Sequence, residues 1–92
     1  MKTINAIIFG DNSWADDLIK VARSHLDEAQ VLPRIDGAVI KGRAKTCESF
    51  LKDCRAGLKT ISPDYFRLLP ARLAKHSLHW GSVSMHVEEI AH

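Results

Sequence analysis

The sequence predicts an α+β domain: a small mixed or antiparallel sheet of three to four strands, two helices packed on one face, and a C-terminal β-hairpin. Three observations predict it. Residues 75–88 alternate apolar and polar side chains about a Gly81-Ser82 turn. Two segments, Ala15 to Ala29 and Cys47 to Leu58, repeat apolar residues at helical spacing. The chain has 92 residues, 46% of them hydrophobic, which is a single domain spanning residues 1–92. A chain of this size buries a little over ~60% of its unfolded surface, so it holds one core. A single sheet with both helices on one side gives every apolar stripe something to pack against.

Thr3 to Phe9 reads as a buried strand, rich in β-branched and aromatic residues. Gly10-Asp11-Asn12-Ser13 breaks it. Ser13 or Asp11 then caps a helix with Asp16 and Asp17 in the first turn, where the helix dipole favours acids. Ala15, Leu18, Ile19, Ala22, Leu26 and Ala29 share one face of that helix, which the periodicity carries to about Ala29. A short strand, Ala38 to Lys41, follows the Asp36-Gly37 turn. Two readings of this region stay open. The opening β-α-β is a parallel crossover, or Val31 to Ile35 is extended and Asp36-Gly37 turns an antiparallel hairpin.

A second helix is expected from about Ala44 to Gly57, with Cys47, Phe50, Leu51, Cys54 and Leu58 as its apolar stripe. Ser62-Pro63-Asp64 starts a short helical turn, because proline suits the first helical position, and Pro70 ends it. In the hairpin, Gly81 supplies a positive φ. That register pairs Trp80 with Val83, Leu78 with Met85 and His76 with Val87 on an apolar face. The polar face pairs His79 with Ser84, Ser77 with His86 and Lys75 with Glu88.

The composition excludes several classes. The longest apolar run, Ala6 to Phe9, is four residues, against ~20 for a membrane helix, and no secretory leader is legible. The expected setting is cytoplasmic, with no membrane partner. Cys47 and Cys54 are seven residues apart on a helix, about 10 Å along its axis, beyond disulfide reach of ~7 Å, so they are expected reduced.

Three catalytic leads fail on their own residues. Gly37 to Ala44 has the glycine spacing of a phosphate loop, but Arg43 and Ala44 stand where lysine and Ser/Thr belong. Ile8-Phe9-Gly10-Asp11-Asn12-Ser13 resembles the serine turn of GDS-type esterases over about six residues. An asparagine separates its aspartate from its serine, and no late Asp-x-x-His follows. Of five histidines, four lie in the last 17 residues. His79 and His86 are expected as diagonal neighbours on the polar hairpin face, but no carboxylate or thiol completes a metal set. No catalytic residue, metal or cofactor is therefore assigned.

Charge is the remaining signal. The net charge of +2 hides an uneven distribution: residues 1–40 carry net −2, residues 41–75 net +6 and residues 76–92 net −2. The basic third holds Lys41, Arg43, Lys45, Lys52, Arg55, Lys59, Arg67, Arg72 and Lys75. Lys45, Lys52 and Lys59 recur every seven residues and line one side of the second helix, opposite its apolar stripe. Such a ridge attracts an anionic partner: nucleic-acid phosphates or an acidic protein. No RNP, KH, zinc-finger or helix-turn-helix signature accompanies it, which favours backbone contact or docking on a ribonucleoprotein over base reading.

The strand opening at Met1 to Phe9, the basic helix of Lys45, Lys52 and Lys59, and the Lys75 to Ile90 hairpin together resemble the phage-encoded type I-F anti-CRISPR proteins. The resemblance implies a non-enzymatic inhibitor, acting in the host cytoplasm, that docks on an RNA-guided surveillance complex of Cas proteins with guide RNA and blocks target DNA. That group shares no motif, so no residue role transfers with it. The expected function is thus a binding or inhibitor protein acting through the nine basic residues. The rivals are a stand-alone, sequence-nonspecific nucleic-acid-binding domain, and a small ligand-binding domain or enzyme using His76, His79 or His86.

Overall fold

In a computed structural model that describes residues 1–90, nine elements follow one another: β1 (Lys2–Phe9), α1 (Ser13–Ser24), β2 (Asp27–Arg34), β3 (Gly37–Ala44), α2 (Cys47–Ile61), α3 (Pro63–Leu68), β4 (Arg72–Leu73), β5 (Ser77–Trp80) and β6 (Val83–Glu89). The strands form one antiparallel sheet in the order β2-β3-β1-β6-β5-β4. It has six strands, not three to four. The two additional ones lie at the edges: β2, whose first three residues fall where the helix was expected to continue and whose Val31 to Arg34 take the extended alternative, and the two-residue β4.

β1 and β2 run in the same direction with β3 between them, and β1 in turn separates β3 from β6. This is the split β-α-β arrangement of ferredoxin-like topologies, extended by α3, β4 and β5. The parallel crossover and the antiparallel hairpin, which the sequence leaves as alternatives, are therefore reconciled. The crossover joins β1 to β2, and the hairpin joins β2 to β3 in the gap.

The first helix ends earlier than its apolar spacing suggests. α1 stops at Ser24, whose hydroxyl donates to the Val21 carbonyl at 2.7 Å, and His25 closes the C-terminus. Leu26 is buried, and its spacing suits a helical stripe equally well, but it enters the core from the connection to β2. Pairing of residues 30–34 with β3 outweighs local helix propensity. The cap also differs: Asn12, not Ser13 or Asp11, accepts from the Trp14 and Ala15 amides at 3.1 and 3.2 Å. Its amide nitrogen donates to Ser82 Oγ at 2.8 Å, tying the start of α1 to the β5–β6 turn.

The second helix starts later than expected, because Thr46 and Ser49 form a reciprocal capping box, and it runs on to Ile61. Phe50, Leu51, Cys54 and Leu58 are buried as the apolar series requires. Cys47 and Cys54 are free thiols.

The hairpin register is the expected one: Trp80 opposes Val83, Leu78 opposes Met85, His79 opposes Ser84 and Ser77 opposes His86. Gly81 sits at φ +60°, and a Cβ there would run into the Trp14 ring, so the turn and the aromatic cluster both require glycine. Trp14, Tyr65 and Trp80 pack edge-on or tilted, with ring centroids 4.3 to 6.2 Å apart. The Trp80 indole donates to the Leu69 carbonyl at 3.1 Å. The hairpin is interior rather than an edge, since β6 pairs with β1 and β5 with β4.

The core lies between α1, α2 and one face of the sheet, with Ile4, Ala6, Ile8, Ile40, Leu78, Trp80, Met85 and Val87 contributed by the strands. The other face has no helix over it. β1 is accordingly a half-buried strand rather than a buried one: Phe9 is 50% exposed. Among the described residues, no helix is long and apolar enough to cross a membrane.

Candidate anion-binding surfaces

The nine basic residues do not gather on one surface. The alternation of β-strand side chains and the position of α2 divide them.

The first group is built by α2. Its buried series fixes the rotation of the helix, so Lys52, Arg55 and Lys59, spaced i, i+3, i+7, share the outward side. Together with Ala56, Phe66 and Leu73 they line a shallow cleft of about 270 Å³ between α2, α3 and β4. No carboxylate is among the residues that line it. The three cations are held differently. The Arg55 Nε donates to the Ala71 carbonyl at 3.0 Å, and its guanidinium carbon stands 6.0 Å from the centre of the Phe66 ring, within cation–π range. Arg55 is thereby oriented before any partner arrives. Lys52 reaches Glu48 at 3.1 Å, but both side chains are largely exposed. An i, i+4 pair of that kind contributes only ~0.3–0.5 kcal/mol, too little to hold Lys52 away from a better anion. Lys59 makes no ion pair among the described residues.

The second group belongs to the open face of the sheet. Lys41 and Arg43 alternate with the buried Ile40, Gly42 and Ala44 on β3, so they point away from the helices. Arg72 opposes His79 on the same face. The remaining three join neither group. Lys45 lies in the turn before the Thr46 cap, outside α2, so the seven-residue series holds only for Lys52 and Lys59. Arg67 sits on α3 and pairs with Asp64 at 3.7 Å, and Lys75 lies in the bend before β5.

Several side chains of these surfaces carry no signal in the charge pattern. Phe66 and Leu73, the apolar part of the cleft, are uncharged and do not enter a charge count. Arg34 falls in a segment of net negative charge, yet it shares the open face with Leu32 by alternation along β2. The signal that identifies the open face is period-two patterning in β1: Thr3, Asn5, Ile7 and Phe9 form a mixed row against the uniformly apolar Ile4, Ala6 and Ile8.

The histidines and cysteines assemble no centre. His79 and His86 lie on the open face as the hairpin register requires, and the His79 ring contacts Ser77 Oγ at 3.3 Å. Among the described residues, no three His, Cys, Asp or Glu side chains are grouped so as to hold a metal ion. Burial, followed by the charge of Asp53, pushes the Cys54 thiol far above its ordinary value. Burial also raises Cys47, with the Glu89 carboxylate as the second cause. Both shifts oppose thiolate formation, the reverse of what a nucleophilic cysteine needs. The segment with phosphate-loop spacing, Gly37 to Ala44, is the continuous strand β3 and not a loop.

The chain matches no protein-family model, no curated protein and no solved structure. Its own surfaces therefore carry the functional reading.

Proposed function

We propose that the protein is a non-enzymatic binding module that docks on an acidic protein surface through the cleft of Lys52, Arg55 and Lys59. The observation that carries this reading is the composition of the cleft: three cations, one already oriented, around an apolar floor, with no acidic side chain in the lining. A partner contributing carboxylates beside apolar side chains complements both parts. Such charge complementarity sets orientation and association rate, while the desolvated apolar centre contributes affinity. The anti-CRISPR resemblance makes an RNA-guided surveillance complex the first partner to test, with an acidic Cas surface as the docking point.

The test is capture by the tagged protein from host extract and by a purified surveillance complex, with and without nuclease. Lys52→Glu combined with Lys59→Glu reverses the cleft without touching a buried side chain. The expected result is nuclease-resistant capture that the folded double variant loses at least tenfold. Equal capture by wild type and double variant, or capture abolished by nuclease, removes this reading.

A further inference from the structure

We infer that the open face of the sheet is a second binding surface and that it takes a single-stranded nucleic acid. It lies on the far side of the sheet from the α2 cleft and shares no residue with it, so it stands or falls separately.

The pairing registers place this face residue by residue. One row across the sheet reads Gly37, Phe9, Ser84, His79, Arg72. The next reads Leu32, Val39, Ile7, His86, Ser77. The third reads Gln30, Lys41, Asn5, Glu88, and Arg43 with Thr3 lies beyond it. The face thus carries an exposed Phe9, two exposed imidazoles and an aliphatic strip of Leu32, Val39 and Ile7 among polar side chains. Four cations, Arg34, Lys41, Arg43 and Arg72, surround them, against the acids Asp27, Glu28 and Glu88.

Two concavities mark the ends of a diagonal across this face. One, of about 440 Å³, is lined by Leu69, Pro70, Arg72, His79 and Gly81. The other, of about 270 Å³, is lined by Thr3, Glu28, Gln30, Lys41, Gly42 and Arg43. At ~4.8 Å between strands and ~3.4 Å per residue, Lys41 and Arg72 are about 24 Å apart. That span suits a short single strand of about four nucleotides, near the lower limit of known single-strand sites. His86 lies on that path, Ile7 and His79 lie beside it, and Phe9 stands about 8 Å to one side. Ring faces along and next to the path support bases without regard to sequence, while the end cations neutralise phosphates. A duplex is too thick and too regular to lay its bases on a flat sheet.

The charge on this face argues against its other natural occupant, a second copy of the chain. A two-fold contact sets the same patch against itself, and the four cations outnumber the acids that would have to pair with them. The sheet edges give no alternative route. β2 begins with a register shift at Glu28, whose φ is +55°, and carries Pro33, while β4 is two residues long. Both are devices that blunt edge pairing.

The experiment is fluorescence anisotropy with a labelled oligouridine of about eight nucleotides, long enough to cover the site, titrated between about 50 and 200 mM salt. Three variants are compared with wild type: Lys41→Glu with Arg43→Glu, Phe9→Ala, and the cleft pair Lys52→Glu with Lys59→Glu. We expect binding that weakens steeply with salt. The Lys41/Arg43 pair loses tenfold or more, Phe9→Ala loses about fivefold or more from lost stacking, and the cleft pair stays within about twofold of wild type. Circular dichroism establishes that each variant is folded. Phe9 and both cations are exposed, and the charge pair tests the surface even if Phe9→Ala is unstable. No binding at low salt overturns the inference. So does equal affinity for a duplex of the same length, loss in the cleft pair as large as in the Lys41/Arg43 pair, or a wild-type dimer in sedimentation that Phe9→Ala dissociates. Failure of this binding leaves the nuclease-resistant capture assigned to the cleft untouched, and loss of that capture leaves this binding untouched.

Discussion

On the helix-covered side of the sheet, Ile4, Ala6, Ile8, Ile40 and Met85 are at most 1% exposed, whereas on the open side Phe9 keeps 50% and Leu32 64% of their surface to solvent. The same strands supply both sets, one residue apart. On the covered side, each side chain has to fit what α1 and α2 bring down onto it, and volume decides what is tolerated. On the open side no helix constrains volume, and the residues present are a mixture of cations, acids, rings, amides, hydroxyls and the aliphatic Leu32, Val39 and Ile7. Stability is concentrated on one side of the sheet, and the surface proposed for single-stranded nucleic acid is on the other. The α2 cleft, built on the outward surface of a helix, adds a second recognition surface without removing anything from the core.

The largest effect that would break or support this contrast is expected at Trp80. Its ring is 1% exposed, stacks edge-on with Tyr65, and donates to the Leu69 carbonyl at 3.1 Å. Trp80→Ala removes the largest side chain of the covered face and leaves that carbonyl without its donor. The expected loss is ~3–5 kcal/mol, a large part of the stability of a domain this size, measured by urea unfolding. Trp80→Phe keeps much of the aromatic volume and is expected to cost less than Trp80→Ala. A loss below ~1 kcal/mol for Trp80→Ala would place the stabilising contacts elsewhere than on the covered face.

A smaller effect is expected from pH, again only on the covered side. The Cys54 thiol is held protonated by burial, with its folded value raised from an ordinary 9.0. Above that unfolded value the unfolded chain releases the proton while the folded chain keeps it. The folded state then binds more protons, so stability falls as pH rises. The expected slope is about 1.4 kcal/mol per pH unit beyond the unfolded value, and in Cys54→Ala it falls to the smaller contribution of the raised Cys47 thiol once that variant's own loss of packing is subtracted. Below about pH 8 the thiol contributes no slope. A wild-type curve that stays flat through about pH 10, or one matched by Cys54→Ala, would show that the thiol is not sealed in the core.

The contrast between the faces also explains what could be read from the sequence. The hairpin register was legible because Gly81 fixes the turn and a one-residue slip would mix apolar and polar faces. The stripe of Phe50, Leu51, Cys54 and Leu58 was legible for the same reason in helical form. The segment from Leu26 to Arg34 was legible only as two alternatives, because Leu26 and Ala29 continue the helical spacing of Leu18 and Ala22 while Ala29 and Val31 have strand spacing. The choice is made by β3, which lies further along the chain and offers a free edge. β4 was hidden because two residues carry no period at all. The charge count located the basic residues correctly but not their directions. Lys41 and Arg43 face away from Lys52 and Lys59 because a strand alternates sides while a helix turns, and no sum over a segment contains that information.

The smallest expected effect is the most direct test of the open face. Leu32 opposes Val39 on β3 and lies beside Ile7 one strand further on, yet it remains 64% exposed. Leu32→Ser removes an apolar side chain from a strand, a change that costs several kcal/mol wherever the side chain is enclosed. At this exposed position it leaves no cavity and strands no polar group, so the expected change in unfolding free energy is within ~0.5 kcal/mol. Ile40→Ser on the next strand, one residue out of phase and fully buried, supplies the matched control. It is expected to unfold the domain or to cost several kcal/mol, since it puts an unpaired hydroxyl in the core. A Leu32→Ser loss approaching that of Ile40→Ser would mean that something covers the open face in solution. The surface proposed for single-stranded nucleic acid would then belong to a partner that is already seated.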